Sequence, residues 1–167
     1  MKKSIIILFV FLFVFTIGYQ APVLAKNTAE EENNLTIAKR LVNEGYNNGN
    51  TNVVDEFTAP NYKNYWNGIL NEKVGPEVIK ENINFNRESY DFKVEIVDSF
   101  AKEDKVVLRW DYKGKHKKSG KQVSFPGVFI ARFEKGKMVE GWQIYDSGTL
   151  IKQLGYTITP PDWAEEK

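Results

Sequence analysis

The sequence predicts a single α+β domain, with helices first and then a bent antiparallel sheet wrapped around them. Three observations carry this. Apolar residues of the first half recur every three or four positions, the spacing of one buried helix face. Those of the second half alternate, as in strands with one face in the core. The two patterns are segregated along the chain, which favours α+β over an interleaved α/β fold.

A leader comes before the domain. Lys2 and Lys3 precede an apolar run from Ile5 to Ile17, and Val23-Leu24-Ala25 supplies the −3 and −1 positions of a cleavage site. That pattern predicts a secretory signal peptide over residues 1–25, cut after Ala25. An uncleaved anchor is the rival, but the run is short for a span of roughly 20 residues. The protein is therefore expected to be secreted or extracytoplasmic. Residues 26–34 read as a flexible lead-in, 35–156 as the domain and 157–167 as a C-terminal tail. The 142 residues left by cleavage suit one domain with its own core.

Composition excludes several functions. The chain has no cysteine, so it has no disulfide, thiolate nucleophile or thiolate metal site. Without Lys2 and Lys3 the balance is 21 basic against 22 acidic residues, a charge of −1. That balance does not favour nucleic acid as a partner.

The elements follow in order. A helix is predicted from Leu35 to Asn47, with Leu35, Ala38, Leu41, Val42, Gly45 and Tyr46 on one face and Asn34 as its N-cap. NNGNTN stops it. A short helix, Val53 to Phe57, starts behind Thr51. Ala59 to Trp66 reads as irregular or briefly extended. Gly75-Pro76 opens a third helix, with Val78, Ile79 and Ile83 inward. Lys93 to Phe100 alternates as a strand.

The clearest strand comes next. Val106, Leu108, Trp110, Tyr112, Gly114 and His116 share one face against Lys105, Arg109, Asp111, Lys113 and Lys115. Gln122 to Phe133 is apolar on both faces, which implies cover on both sides. Pro126-Gly127 within it predicts a bulge or sharp bend. Met138 to Asp146 is the last strand, with Trp142, Ile144 and Asp146 on one side. Ser147 to Leu154 is a short closing helix. Helices inside a bent sheet leave a conical cavity lined by alternate strand residues.

These residues resemble the SnoaL-like polyketide cyclase (ester cyclase) branch of the NTF2-like superfamily. The likeness runs from about Leu35 to Gly155. It is carried by GNTNVVDEFTAPNY, GPEVIKENI, KEDKVVLRWDYKGKH and FEKGKMVEGWQIYDSGTLIKQLG, in that order. The resemblance implies an NTF2-like cone. It also implies a small hydrophobic ligand and, in members that are cyclases, ring closure by an intramolecular aldol reaction without metal or cofactor. The family's acid/base aspartate, at the end of the last strand, maps onto Asp146. The histidine of a Gly-Thr-His element maps onto His116, with Lys115 in place of threonine. Relatives often dimerise through the outer face of the sheet, so a homodimer is a further expectation.

Asp146 admits two readings. Burial beside Trp142 and Ile144 would raise its pKa and make it a pocket acid/base for cyclisation, isomerisation or hydrolysis. Capping the closing helix would lower it. Trp110, Tyr112, Phe129, Trp142 and Ile144 are candidate cavity walls. Tyr62 and Tyr65 are candidates for its mouth, with Tyr46 and Trp66. His116 is a candidate proton donor or a half-exposed turn residue. Lys113, Lys115, Lys117, Lys118 and Lys121 cluster at one hairpin. They form either a solvated tip or a weak attraction to anionic envelope polymer or lipid. The non-catalytic alternative is a secreted module that binds a ligand or an envelope component.

Overall fold

The computed structural model describes residues 21–159, the first seven of them as backbone only. Helix α1 (Ala21–Arg40) runs directly into a π-helical segment (Leu41–Asn47). Then come α2 (Asn52–Phe57), β1 (Thr58–Trp66), β2 (Ile69–Leu70) and α3 (Glu77–Ser89). Four long strands follow: β3 (Tyr90–Lys102), β4 (Lys105–His116), β5 (Gln122–Glu134) and β6 (Lys137–Tyr145). Helix α4 (Ser147–Gln153) closes the described chain. The architecture is α+β with a curled, unclosed sheet, as expected.

The first helix is longer than the sequence predicts. It takes in residues 26–34, read as a flexible lead-in, and Asn34 is buried inside it rather than capping it. Its glutamates are good helix formers. One of them also has a distant partner. The Glu31 carboxylate accepts hydrogen bonds from the Glu103 N–H (2.8 Å) and from Lys102 (3.2 Å), across the β3–β4 turn. That backbone bond above all holds its pKa below the usual carboxylate range. Residues 1–20 of the predicted leader and residues 160–167 of the tail lie outside the described residues.

The π-helical segment adds a residue per turn and keeps Leu41, Val42, Gly45 and Tyr46 on the core side. Its end is held on two sides. The Asn47 side chain pairs with both the N–H and the C=O of Val94 (2.8 and 2.9 Å), as a neighbouring strand would. The Arg87 guanidinium donates to the Tyr46 and Asn47 carbonyls (3.2 and 3.1 Å).

The sheet has six strands in the order β2-β1-β6-β5-β4-β3. The antiparallel β3–β6 meander matches the sequence reading. The segment read as irregular or briefly extended, Ala59 to Trp66, lies within strand β1, which pairs parallel to β6. Its signal was broken by Pro60 and by a register shift between Thr58 and Lys63.

No bulge forms at Pro126-Gly127 within the β4–β5 pair. The β4–β5 register runs unbroken through Asp111↔Pro126 and Trp110↔Gly127. Gly127 is there for space: a Cβ on it would fall within 2.7 Å of Trp110 Cε2 and closer still to Cζ2 and Cη2. Real bulges lie at Val97 in β3 and Val139 in β6, where the partner strand skips a residue. The turn at Lys135-Gly136 has positive φ at both positions (50° and 74°), the type I′ geometry of a tight hairpin.

The concave face carries the core: Val94, Val106, Leu108, Trp110, Tyr112, Val123, Phe125, Ala131, Phe133 and Met138, packed against Ile37, Leu41, Val53, Phe57 and Ile83. On the convex face Val128 and Ile130 stay half exposed, so β5 is not covered on both sides as predicted. There Phe100, Val107, Ile130, Trp142, Tyr65 and Leu70 fall in one register row across all six strands.

Candidate functional site

A cavity of about 170 Å³ opens between the concave sheet, the π-helical segment, α3 and α4. Strands β3, β5 and β6 each contribute one ring to its wall (Tyr90, Phe125 and Tyr145), and β4 contributes two (Trp110 and Tyr112). Phe92 stacks on Tyr112 (4.9 Å) and Tyr112 on Phe125 (4.8 Å), and Phe125 meets Tyr145 (5.5 Å). Tyr90 stands edge-on to Tyr112 (6.0 Å), and Trp110 edge-on to Phe125 (6.2 Å). Trp66 from β1 and Tyr46 from the π-helical segment complete the ring of aromatics. Phe85 on α3 lines the cavity although it is 61 % exposed, which places it at the mouth with Leu150 of α4. Offset and edge-on arrangements of this kind are the favourable ones for aromatic pairs.

The polar groups come from amides and phenols. Asn82 and Asn86 sit four residues apart on α3 and so share a face. Tyr46 Oη donates to Asn82 Oδ1 (2.7 Å), and Tyr112 Oη to Asn86 Oδ1 (3.4 Å). Asn86 Nδ2 donates back to the Asn82 carbonyl (2.9 Å). Gln143 enters from β6. Burial pushes the Tyr46, Tyr90 and Tyr112 phenols above the ordinary tyrosine range, so they are neutral near physiological pH. Among the described lining residues, none is acidic, basic or histidine.

A second chamber of about 30 Å³ adjoins the first. Val42, Tyr46, Trp66, Asn82 and Gln143 belong to both walls. Its far side is formed by Leu41, Tyr62, Asn64, Val78, Ile79 and Phe129. Tyr62 is fully buried, and its hydroxyl donates to Asn64 Oδ1 (3.0 Å).

Trp110 and Tyr112 line the main cavity as predicted, and Phe129 and Tyr62 line the smaller chamber. Tyr62 is thus a deep wall rather than part of the mouth. Trp142, Ile144 and Tyr65 are on the convex face instead. Tyr65 and Trp142 stack there at 5.4 Å, and Ile144 is 53 % exposed. The cause is the Val139 bulge. Met138 points into the core, and strict alternation would carry Trp142 and Ile144 inward with it. The extra residue reverses the parity, so Gly141, Gln143 and Tyr145 point inward instead.

Asp146 follows the same reversal. It is exposed outside the cavity and caps α4, accepting from the Thr149 hydroxyl (2.7 Å) and the Thr149 N–H (2.9 Å). The Thr149 side-chain bond is the main reason its pKa is lowered, with the backbone bond next. This is the direction of a cap and opposite to that of a buried acid/base. His116 ends β4 outside the cavity. Its ring tilts against Tyr90 (5.2 Å), and its Nδ1 lies 2.8 Å from Ser119 Oγ within the hairpin. In that same hairpin, Lys117 and Lys121 donate to the carbonyls of Arg87 and Leu154, and all five lysines, with Lys113, Lys115 and Lys118, are exposed.

A conical cavity enclosed by helices and a curled sheet defines an NTF2-like domain of the small-molecule-binding type. The family model described as SnoaL-like polyketide cyclase matches residues 36–154, and the chain belongs to that family. Its fold is shared by TsrD from Streptomyces laurentii (22 % identity, 72 % of this chain and 92 % of that one, TM-score 0.65). It is shared too by IdmH from Streptomyces antibioticus (21 %, 72 % and 97 %, 0.63). A third likeness is to a ketosteroid isomerase-like protein from Catenulispora acidiphila in complex with trimethylamine (17 %, 74 % and 97 %, 0.64). No curated protein matches the chain.

Proposed function

We propose that this is an exported protein that binds a small, uncharged, largely aromatic molecule in its conical cavity. One observation carries the reading: the cavity is walled by aromatic rings and amides, and no ionisable acid, base or histidine faces it among the described residues. A charged ligand would lose its hydration there without gaining a counter-charge, which is costly. A neutral ring exchanges water for stacking surface. The volume, about 170 Å³, is of the order that takes a single aromatic ring.

The non-catalytic reading is therefore preferred to aldol-type acid/base catalysis. For Asp146 to take a ligand proton it would have to give up both Thr149 bonds and turn inward. The test uses ligand-observed NMR with toluene, benzoate and benzylammonium. Toluene is expected to bind, and the two ions at least tenfold more weakly. Binding of toluene should survive Asp146→Asn. Equal binding of the ions would refute the reading. A chemical change in whatever small molecule co-purifies with the protein, abolished by Asp146→Asn, would restore the enzyme reading.

A further inference from the structure

The hairpin between β4 and β5 and the mouth of the cavity lie at one end of the molecule, tied together by hydrogen bonds. On the α3 side the Lys117 N–H donates to the Ser89 carbonyl (2.9 Å), and its ammonium to the Arg87 carbonyl. On the α4 side Lys121 donates to the Leu154 carbonyl (2.7 Å), and the Gln153 amide pairs with both the N–H and the C=O of Ser124 (2.7 and 3.0 Å). These two helices carry the mouth residues Phe85 and Leu150. The lysines are thereby held beside the mouth.

That end is strongly basic. Lys115, Lys117, Lys118, Lys121 and Lys152 are exposed, and none forms a salt bridge among the described residues. Lys93 and Lys113 pair across β3 and β4 one step further back. Glu88 and Asp91 are the carboxylates on the adjoining segment, while Asp146 is engaged by Thr149. Bulky apolar side chains share this end. Besides Phe85, Tyr156 is 67 % exposed and Ile158 56 %. Gly155, at φ 87°, ends α4 with the Tyr156 N–H bonded back to the Ile151 carbonyl (3.1 Å), which fixes where Tyr156 emerges. The Tyr156 phenol lies within electrostatic reach of Tyr90 in the cavity wall.

Exposed apolar groups rimmed by cations mark an interaction surface. A soluble polyanion would use the lysines and leave Tyr156 and Ile158 wet. An anionic bilayer uses both: the ammonium groups meet the headgroup phosphates, and the apolar side chains enter the interface. We propose that this end docks on an anionic membrane surface, with the hairpin lysines against the headgroups and the cavity mouth turned to the bilayer. The docking stands on this surface alone. Only the nature of what crosses the mouth, a neutral and membrane-soluble ring, rests on the cavity reading given above.

The test is co-sedimentation of the exported form, residues 26–167, with vesicles of phosphatidylcholine alone or equimolar with phosphatidylglycerol. Binding to the anionic vesicles is expected to be about tenfold tighter or more, and to weaken as salt is raised. Lys115→Gln with Lys118→Gln removes two charges that make no hydrogen bond among the described residues. It should weaken binding about 25-fold, about fivefold for each lysine. Tyr156→Ser with Ile158→Ser should weaken it about tenfold by removing the inserted groups. Ile144→Ser, an exposed apolar site on the convex face, should leave it unchanged. Equal binding to the two vesicles overturns the proposal, as does an equal loss in Ile144→Ser. Full binding by Tyr156→Ser with Ile158→Ser overturns it in favour of a polyanion. Binding seen only after residues 160–167 are removed overturns it too, and assigns the lysines to Asp162, Glu165 and Glu166 of the tail. Toluene binding is read without vesicles, so either reading can fail while the other stands.

Discussion

Replacing Gly127 with alanine tests how the concave wall is built. A Cβ at this position would lie within 2.7 Å of Trp110 Cε2, where ordinary contact begins near 3.4 Å. The indole would have to withdraw by more than 0.7 Å at that atom, and further at Cζ2 and Cη2. It cannot do so freely. Trp110 is 5 % exposed and stands edge-on to Phe125, itself stacked on Tyr112. Overpacking of this kind costs about 1–3 kcal/mol. For a chain of this size that corresponds to a fall in Tm of roughly 3–10 °C. Thermal unfolding followed by circular dichroism reads the shift. Toluene binding should weaken in the same variant, because Trp110 is also cavity wall. Adding Trp110→Phe removes the two closest atoms, so the double variant should lose less stability than the two single changes summed. An unchanged Tm in Gly127→Ala, or strict additivity in the pair, would refute the close-approach explanation.

Three further outcomes follow from the hydrogen bonds. Tyr62→Phe removes the donor to a buried Asn64 oxygen and should destabilise by about 1–3 kcal/mol in urea unfolding. Asn47→Ala strips both bonds from Val94 and should cost about 1–3 kcal/mol. It should also raise amide exchange at Val94. Asp146 has a lowered folded pKa, so its stabilisation of α4 is present above the unfolded value of about 3.9 and is lost as pH falls through the folded one. Exchange at the Thr149 amide should accelerate over that acidic range. In Asp146→Asn it should show much less pH dependence there, because asparagine caps without titrating.

Much of the fold was legible because its signals are local. The strand from Lys105 to His116 alternates without interruption, and the helix after Gly75-Pro76 declares its start. What escaped the sequence depends on distant partners or on single-residue irregularities. Strand β1 gains its identity from pairing with β6, some eighty residues away, and Pro60 hides its alternation. The helical lead-in is secured by Glu31 reaching the β3–β4 turn. At the site, Trp110 and Tyr112 were readable because β4 has no bulge through them. Gln143 and Tyr145 were missed, and Trp142 and Ile144 named in their place, because Val139 shifts parity by one. Asn82 and Asn86 left one faint trace, a pair of amides at i and i+4 on the face of α3 next to Ile79 and Ile83.

The bulge at Val139 also bears on how this pocket can change by descent. Losing that one codon would leave Met138 and Glu140 as neighbours in a regular ladder opposite Phe133 and Arg132. Gly141, Gln143 and Tyr145 would still point inward, so the cavity wall would keep its amide and its phenol. The same three-nucleotide loss in the middle of β4, where the register to β5 is unbroken, would turn one end of that strand over. In a chain built this way, the irregular strand is the one whose ligand wall tolerates a change of length.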